Sequence, residues 1–597
     1  MATIKGGEFL IKEIKSEDIF VSEEFNEEQK MMKEAVIEFI DREVWPHKER
    51  FENKDYALTE EVMRKAGEMG FLGVSIPEQY GGIGMGFVST MLVTDYISSA
   101  TGSLGTAFGA HTGIGTMPIF LYGTEEQKQK YLPLLTSGQK FGAYCLTEPD
   151  AGSDANSGKT TAELTADGKH YKINGQKMWI SNAGFAEIFI VFARIEDDKN
   201  ITAFIMEFDK NNPNGVTLGE EEKKLGITSS STRQVFFSDT LIPVENMLSN
   251  RGKGFKIAMN SLNVGRIKLG AACLDASRRI ITESVKYGNE RKQFKTAISN
   301  FGAIQKKYAE MSAKTFTIDA GCYRAAKDIQ NMIDAGLAEG KSHQDAELAA
   351  FQEYAIECAI IKVFGSEVSQ FVSDEGIQIF GGMGFSKDTP MESAWRDARI
   401  TRIYEGTNEI NRLLTVGMLL KKAMKGEIDL LTPAMEVGNS LLGIPSFDTP
   451  DYTVLFSEEK EMIAKLKKAF LMISGKAVQT YGMDLENHQQ LILAAAEVMI
   501  EVYMAESAIL KAEKVAKLTS EKEAECQIAM AKLNLFNAVE KSATMGKEAI
   551  VYFAEGDELR MLLMGLKRFT KYTNNPNPIA LRKIIAKKVI AENSYCF

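Results

Sequence analysis

Apolar residues recur at helical spacing through the first part of the chain. In residues 28–43 and 59–69 they repeat three and four positions apart, and Gly70 can end the second stretch. This spacing places the apolar side chains on one face of a helix, which can bury that face against its neighbours. The pattern predicts an N-terminal helical domain over residues 25–140.

The pattern changes between residues 141 and 248, where short runs rich in Val, Ile, Phe, Tyr and Trp predominate. Such runs are typical of β-strands. Asn174-Gly175 lies between two of the runs and indicates a hairpin, because both residues tolerate a positive φ. We therefore predict a small central β domain, a barrel or a sandwich, with strands at residues 141–146, 170–173, 177–180, 188–195, 201–208 and 233–237.

Helical spacing returns after residue 254. It predicts a helical bundle over residues 254–425, with long helices at residues 255–287, 303–335, 346–371 and 409–424. Residues 426–453 contain three prolines and several glycines, which favours a linker. An extra C-terminal helical domain follows over residues 454–597, with helices at residues 457–481, 487–518 and 520–553. The fold class is therefore multidomain α+β.

Composition limits the functions that this fold can serve. The chain has 597 residues, 44% hydrophobic and 25% charged, as expected of a folded globular protein. Its net charge of −11 argues against a surface that coats nucleic acid. The six cysteines have no spacing that suits a metal site, which favours reduced thiols and a cytoplasmic location.

Two apolar features bear on targeting. Residues 1–20 are interrupted by charges and lack the apolar run of a secretory signal. Residues 97–124 carry no formal charge and are long enough to span a bilayer. Their Gly, Ser and Thr content and Pro118 favour helices buried in protein instead.

Two polar clusters fall in the predicted β domain. Residues 147–154 (TEPDAGSD) follow the first strand, where hydroxyls and backbone amides can hydrogen-bond a bound ring or phosphate. In residues 177–182 (KMWISN), Trp179 and Ser181 lie on one face of a strand, so an indole can cover a flat ring while a hydroxyl reaches its edge. Taken singly, the first cluster also fits a polar turn, and Trp179 in the second also fits an aromatic residue of the core.

Three further clusters fall in the predicted bundle. Residues 291–294 (RKQF) with Gln305 fit a solvated helix end. Residues 378–385 (QIFGGMGF) hold three glycines in four positions, which lets a phosphate approach the backbone, although they lack the GxGxxG of a Rossmann fold. In residues 402–409 (RIYEGTNE), Glu405 precedes a glycine at a helix break, where its carboxylate can project into a cleft or interact with the helix N-terminus.

In this order and spacing, the five clusters resemble the acyl-CoA dehydrogenase family. Residues 147–154 and the stretch 378–396 are similar to the two family signatures, and residues 404–407 (YEGT) are similar to its catalytic loop. The resemblance covers about residues 28–424. The helical block after residue 450 is similar to the C-terminal extension of the very-long-chain branch.

The resemblance implies an FAD between the β domain and the bundle, in a homodimer whose partner completes the site. Thr147 would bond the pyrimidine edge of the flavin, Trp179 would pack on its ring, and Ser181 would approach N5. Glu409 stands where many relatives carry Gln. The implied cofactor-binding residues are Thr147, Ser153, Trp179, Ser181, Arg291, Phe294, Gln305, Gln378, Gly381, Gly382, Thr407 and Glu409.

The resemblance also implies where acyl-CoA binds. The small residues at positions 106, 109 and 110 would line the deep end of the acyl pocket and leave room for a long chain. The implied substrate-binding residues are Ser153, Thr106, Gly109, Ala110, Asn263, Arg266, Tyr404 and Gly406.

The chemistry of thioester oxidation needs a base for the α-proton and a hydride acceptor on the opposite side of the C–C bond. The resemblance makes Glu405 the base. A few relatives carry the base at the position of Gly265, which cannot act as one. The implied function is oxidation of fatty acyl-CoA, by preference long-chain, to trans-2-enoyl-CoA in fatty acid β-oxidation, with an electron-transfer flavoprotein as acceptor. An acyl-CoA oxidase and a catalytically silent helical scaffold remain alternatives.

The end of the chain is locally basic. Residues 560–597 contain eight basic residues and a single acidic residue, Glu592. Beside the apolar residues of 584–590, they could rest on an anionic membrane surface as a peripheral contact. The alternative is a solvated helix face, or pairing with acidic helices of the same chain or its dimer partner.

Overall fold

The chain before the sheet is helical in the computed structural model, which describes residues 4–441, 443 and 451–597. The helices are α1 (Glu27–Glu43), α2 (Lys48–Glu52), α3 (Tyr56–Glu68), α4 (Phe87–Ile97), α5 (Gly102–Gly109), α6 (Met117–Tyr122) and α7 (Glu125–Thr136). Asn26 and Gln29 exchange side-chain-to-backbone hydrogen bonds and so cap the start of α1. Gly70 follows α3 with a φ of 78°, a conformation that favours glycine and ends the helix.

The uncharged stretch 97–124 forms buried helices, as predicted. α5 continues into a π-helical turn at Ala110–Gly115, and α6 follows. His111 in this turn is buried, and its ring bonds the backbone of Leu135 and Gly142, both at 3.0 Å. Across the part of the chain that the structure describes, no helix is both long and apolar enough to cross a lipid bilayer.

The middle of the chain forms one mainly antiparallel sheet. The strands are β1 (Gly142–Cys145), β2 (Thr161–Leu164), β3 (His170–Ser181), β4 (Ile188–Ile195), β5 (Thr202–Glu207), β6 (Val216–Leu218), β7 (Thr232–Pro243) and β8 (Met247–Leu248). Their order in the sheet is β6-β7-β3-β2-β4-β5-β8, and β1 lies parallel to β4. The predicted strand segments lie in strands, those at 170–173 and 177–180 together in β3, whereas sequence patterns did not predict β2, β6 and β8.

The predicted hairpin at Asn174-Gly175 is wrong. Both residues lie inside β3, at a bulge in its pairing with β7. The Asn174 amide bonds the backbone and carboxylate of Asp239 on β7, at 2.8 and 3.0 Å, so it extends the ladder instead of closing a turn. A Cβ on Gly175 would lie 2.7 Å from Thr160 Oγ1, so glycine serves a close approach between strands.

A helical bundle follows the sheet. Two predicted helices, 255–287 and 346–371, are each two helices, with breaks at Cys273 and Tyr354. The Tyr354 hydroxyl donates to the carbonyl of Ile4 at 2.7 Å, which fixes the second break against the N-terminal segment. The bundle contains α8 (Gly254–Ala272), α9 (Leu274–Glu290), the β9–β10 hairpin (Lys292–Gln293, Thr296–Ala297), α10 (Gly302–Ala338), α11 (His343–Glu353), α12 (Ala355–Phe380), α13 (Gly382–Phe385), α14 (Met391–Ile400) and α15 (Asn408–Met424).

A second helical block ends the chain. The predicted linker, residues 426–453, contains a helix, so that part of the prediction is wrong, and residues 442 and 444–450 lie outside the described residues. Pro433 is tolerated in the first turn of this helix because the amide groups there have no intrahelical acceptor. The block comprises α16 (Leu431–Ser440), α17 (Ser457–Tyr481), α18 (Gln489–Leu518), α19 (Glu525–Phe553), α20 (Gly556–Phe569) and α21 (Pro578–Glu592).

Buried ion pairs join this block to the bundle. Glu506 on α18 accepts from Arg324 on α10 at 3.0 Å and from Lys467 on α17 at 2.5 Å. Lys467 also donates to the carbonyl of Lys12, so the N-terminal segment lies in the same junction. A buried charge that loses its partner is costly, which favours one fixed arrangement of the block on the bundle.

The basic C-terminal segment is partly engaged within the chain. Arg582 on α21 pairs with Glu310 on α10 at 2.7 Å. Ile585 and Val589 are fully buried, while Lys583 and Lys587 on the opposite face are exposed. The apolar side of α21 is therefore packed against protein, as in the alternative in which the basic residues pair with acidic helices or form a solvated face.

Candidate active site

Glu405 lies in the loop between α14 and α15, with a positive φ of 59°. The ammonium of Lys362 donates to Gly406 O and Asn408 Oδ1, both at 2.7 Å. The Asn411 amide donates to Gly406 O at 2.8 Å. These contacts hold the loop in a backbone conformation that a glutamate rarely adopts.

The Glu405 carboxylate lies against Gly265 on α8. A Cβ built on Gly265 would lie 2.6 Å from Glu405 Oε2 and 2.9 Å from Oε1. Real Cβ contacts are longer, so any larger residue at position 265 would displace the carboxylate. The glycine that cannot itself be a base thus makes room for Glu405.

Burial sets the proton affinity of this carboxylate. Oε2 is buried and has no hydrogen-bond partner among the described residues. Desolvation raises the pKa of Glu405 to about 7, and the positive charges of Arg266, Lys362 and Lys268 oppose the rise. A carboxylate with this pKa can take up a proton near neutral pH.

One predicted acyl-pocket residue lies near the same loop. Thr106 on α5 lies beside the phenol of Tyr404, and burial raises the pKa of that phenol. A Cβ on Gly109 would meet nothing within 4 Å, so space lies beside α5 at that position. The structure thus places Thr106 beside Tyr404, the neighbour of Glu405, and leaves open space at Gly109 on the same helix.

Asn263 and Arg266 support the base from α8. Arg266 Nη1 donates to Asn263 Oδ1 at 2.9 Å, and Arg266 Nε donates to the carbonyl of Glu405 at 3.3 Å. Asn263 Nδ2 donates to Phe351 O at 3.3 Å. These two predicted substrate-binding residues therefore anchor the Glu405 loop.

Thr147 and Trp179 lie next to each other near the end of β3. The backbone N–H of Met178 donates to the carbonyl of Thr147 at 2.9 Å. β3 is bulged against β7 between Lys177 and Ile180, and Trp179 has a φ of 60° there, which leaves its side chain 52% exposed. Ser181 ends β3, and Ser153 is exposed in the loop after β1.

A buried ion pair holds this loop and strand together. The Lys177 ammonium contacts Glu148 Oε1 at 2.6 Å, and both side chains are almost completely buried. Glu148 also accepts from the backbone N–H groups of Lys159 and Thr160, at 2.6 and 3.1 Å. Sequence reasoning missed both residues, because strand alternation gives no sign that a lysine faces inward.

Six predicted cofactor residues lie apart, at one end of the bundle. They occupy the end of α9, the β9–β10 hairpin, the start of α10 and the end of α12, where Tyr287 and Phe380 stack at 4.1 Å. Phe294 is 90% exposed, and a Cβ on Gly381 or Gly382 would meet open space. The set is Arg291, Phe294, Gln305, Gln378, Gly381 and Gly382.

Thr407 and Glu409 begin α15. Thr407 Oγ1 accepts from the N–H of Ile410 at 3.3 Å and caps the helix. Glu409 is exposed, and its hydrogen bonds to the helix N-terminus and to Thr407 lower its pKa. Both residues thus have a local structural role.

Comparison with known proteins identifies the family. Family models for acyl-CoA dehydrogenase match consecutive parts of the chain: the N-terminal domain at residues 26–139, the middle domain at 143–240, and C-terminal domains at 252–419 and 465–568. A probable acyl-CoA dehydrogenase of Bacillus subtilis (strain 168) is 40% identical over 569 residues, which cover 95% of each chain. The chain belongs to the acyl-CoA dehydrogenase family.

Two further members of the acyl-CoA dehydrogenase family are similar to this chain. The crystal structure of an acyl-CoA dehydrogenase complexed with FAD from Bacillus anthracis superposes with a TM-score of 0.95 at 41% identity and covers 100% of both chains. The very long-chain specific acyl-CoA dehydrogenase, mitochondrial, of Macaca fascicularis is 39% identical over 397 residues, 65% of this chain. The match spans 57% of that relative's length. The family resemblance drawn from the sequence motifs is confirmed.

Proposed function

We propose that this chain is an FAD-dependent acyl-CoA dehydrogenase that converts long-chain acyl-CoA to trans-2-enoyl-CoA in fatty acid β-oxidation. We propose an electron-transfer flavoprotein as its electron acceptor. The observation that carries the proposal is the buried Glu405 carboxylate, which has no partner for Oε2 among the described residues and has a pKa of about 7. Such a carboxylate is a competent base for an α-proton at neutral pH.

The residues of the site fit FAD. An indole left 52% exposed beside Thr147 offers a flat ring a stacking surface and a hydroxyl at its edge. The B. anthracis relative, similar over its whole length, is complexed with FAD. We assign the flavin half to Thr147, Ser153, Trp179 and Ser181, with Thr407 and Glu409 close by.

We propose that a homodimer completes the cofactor site. The six residues at the end of the bundle include a 90% exposed phenylalanine and two glycines with open space at their Cβ positions. Open glycine backbone lets a phosphate approach closely, and an exposed aromatic ring gains by being covered. We therefore assign this surface to the ADP half of the partner subunit's FAD.

The residues around Glu405 suit proton abstraction from an acyl thioester. Glu405 takes the α-proton, while bound FAD would supply the hydride acceptor for the β-carbon. Within the described residues, the backbone N–H of Glu405 has no hydrogen-bond acceptor, so it can donate to the thioester oxygen as negative charge develops. Arg266 and Asn411 hold the carbonyl of Glu405, each at 3.3 Å, and so fix the direction of the loop.

Space at Gly109 supports a long-chain substrate. Gly109 and Gly113 both have open space at their Cβ positions, and Ala110 adds only a methyl group. Each buried methylene of an acyl chain contributes about 0.8 kcal/mol. Turnover should therefore rise stepwise with chain length until the pocket is full, and a maximum at four carbons would refute the assignment.

We propose a cytoplasmic protein that contacts anionic membranes through exposed basic residues alone. Five of the six cysteines are buried free thiols, which suits a reducing compartment. Exposed Lys583 and Lys587 can attract anionic lipid, whereas the apolar side of α21 is packed away. Co-sedimentation with anionic vesicles that disappears with added salt would support such contact.

The experiment that tests the function compares electron acceptors. The purified protein is incubated with hexadecanoyl-CoA, under argon with an artificial one-electron acceptor and in air without it, and the thioester product is identified by mass. We expect repeated turnover to a product lighter by two hydrogens only with the acceptor, and no more product than bound flavin without it. Rapid peroxide formation in air would indicate an acyl-CoA oxidase, and a colourless protein without product would indicate a silent scaffold.

A further inference from the structure

Lys268 is a buried lysine on the helix that supports the base. It lies on α8 three residues after Gly265, so the two residues are one helical turn apart on the same side of the helix. The side chain is 4% exposed. Its ammonium donates to Thr112 Oγ1 at 2.5 Å and lies 5.4 Å from the ring of Phe108.

Among the described residues, the Lys268 ammonium has no direct counter-ion. Buried Lys177, Lys467 and Lys511 each form an ion pair with a carboxylate. In contrast, no carboxylate of the described residues lies within 4.0 Å of the Lys268 ammonium. The adjacent cavity of about 20 Å³, lined also by Thr90, Thr112 and Thr116, has room for about one water molecule.

Glu405 is the carboxylate that acts on this lysine. Desolvation lowers the pKa of Lys268 to about 7, and the charge of Glu405 opposes that change. The charge of Lys268 in turn lowers the pKa of Glu405. Each group therefore favours the ionised form of the other, and their protonation is linked.

We propose that Lys268 is a positioning residue for proton transfer, whose charge acts from the helical turn next to Gly265 to keep the Glu405 carboxylate ionised and ready to take the α-proton. The proposal rests on the proposed function, since it assigns Glu405 the role of base. The positions of the two groups support the proposal, because both lie on the Gly265 side of α8. Among the described residues, neither group forms an ion pair that would neutralise its charge.

The other groups near the base have separate roles. Arg266 on α8 bonds Asn263 and the Glu405 carbonyl, and Lys362 on α12 bonds the loop backbone. The phenol of Tyr144 on β1 stays neutral, because burial and the charge of Glu405 raise its pKa. His111, near Lys268, stays neutral because burial lowers its pKa to about 4. Among the described residues, Lys268 thus forms neither an ion pair nor a contact with the Glu405 loop that would give its charge a structural role.

Titration of Glu405 in the substrate-free protein tests the proposal. The protonated carboxyl band is followed by difference infrared spectroscopy and assigned by its loss in Glu405→Gln. In Lys268→Met, which replaces the stem by an apolar chain of similar length, the midpoint should rise by roughly one pH unit. Lys268→Arg should restore the wild-type midpoint, and Lys128→Met, at a buried lysine that donates to Gln344, should leave it unchanged.

The rate of substrate oxidation provides the second readout. In Lys268→Met, the acid limb should move up by the same amount, so that activity falls about fivefold at pH 7 and little at pH 9. An unchanged Glu405 midpoint, or an equal loss of rate at every pH, would overturn the proposal. If the midpoint moves but the wild type oxidises no acyl-CoA, the proposed function fails while the electrostatic link between Lys268 and Glu405 stands.

Discussion

Replacement of Glu405 by Gln removes the base and almost no volume. Loss of a positioned general base should lower the rate of acyl-CoA oxidation at least ~100-fold. In the wild type, the pKa of about 7 means that about a tenth of the molecules hold the base ionised at pH 6 and about nine tenths at pH 8. The wild-type rate should therefore rise nearly tenfold across this interval, and the residual rate of the variant should not.

The same substitution should stabilise the fold at alkaline pH. The pKa of Glu405 rises from 4.5 to about 7 on folding, so ionising the buried group costs up to about 3 kcal/mol. A group with a raised folded-state pKa contributes its stability below the unfolded pKa and loses it as pH rises through the folded pKa. Below pH 4.5 the wild type pays no such cost, and above pH 7 it pays all of it.

Two assays on one pair of proteins check this reasoning. Single-turnover flavin reduction from pH 6 to pH 8 measures the base, and thermal unfolding over the same range measures the cost of its burial. Glu405→Gln should be inactive and should gain in Tm relative to the wild type as pH rises. A variant that keeps substantial activity would show that another residue takes the proton, and a Tm difference independent of pH would show that Glu405 is not desolvated.

Three further predictions follow from close contacts and open space. Gly265→Ala should lower the rate about 10- to 100-fold by displacing Glu405, while Gly417→Ala, whose Cβ meets nothing within 4 Å, should leave the rate unchanged in the same steady-state assay. Lys177→Met should weaken FAD retention at least ~10-fold and lower the free energy of unfolding by about 3–5 kcal/mol, and equal flavin fluorescence release from both proteins would contradict this. Gly109→Phe should cut turnover of hexadecanoyl-CoA at least ~10-fold and spare butanoyl-CoA, and an unchanged chain-length profile would exclude Gly109 from the pocket.

The sequence predicted the elements whose signals are local. Apolar spacing located most of the long helices, because each buries one face along its whole length. It failed at Asn174-Gly175, where both residues are compatible with a turn but the flanking runs form one strand that pairs with β7 on both sides of a bulge. It also joined helices across Tyr354, a break at which the side chain contacts the distant Ile4.

In the candidate site too, local motifs could be predicted from the sequence and contacts between distant residues could not. The residues of known motifs, Glu405 and Trp179 among them, could be proposed from sequence because each motif is a short string. Lys177 and Lys268 could not, since their meaning depends on burial beside groups that are remote in the chain or one helical turn away. The contact between Gly265 and Glu405 joins residues far apart in sequence. Only the fold shows that the lack of a side chain at position 265 leaves space for the Glu405 carboxylate.

The most direct test of the account is flavin absorbance in an anaerobic stopped-flow instrument. The purified yellow wild-type protein is mixed with one equivalent of hexadecanoyl-CoA at pH 8, beside Glu405→Gln at matched flavin content. We expect rapid bleaching of the oxidised flavin band in the wild type and persistence of the band in the variant. A wild type that stays yellow, or a variant that bleaches at the same rate, would contradict the assignment of Glu405 as the base of an acyl-CoA dehydrogenase.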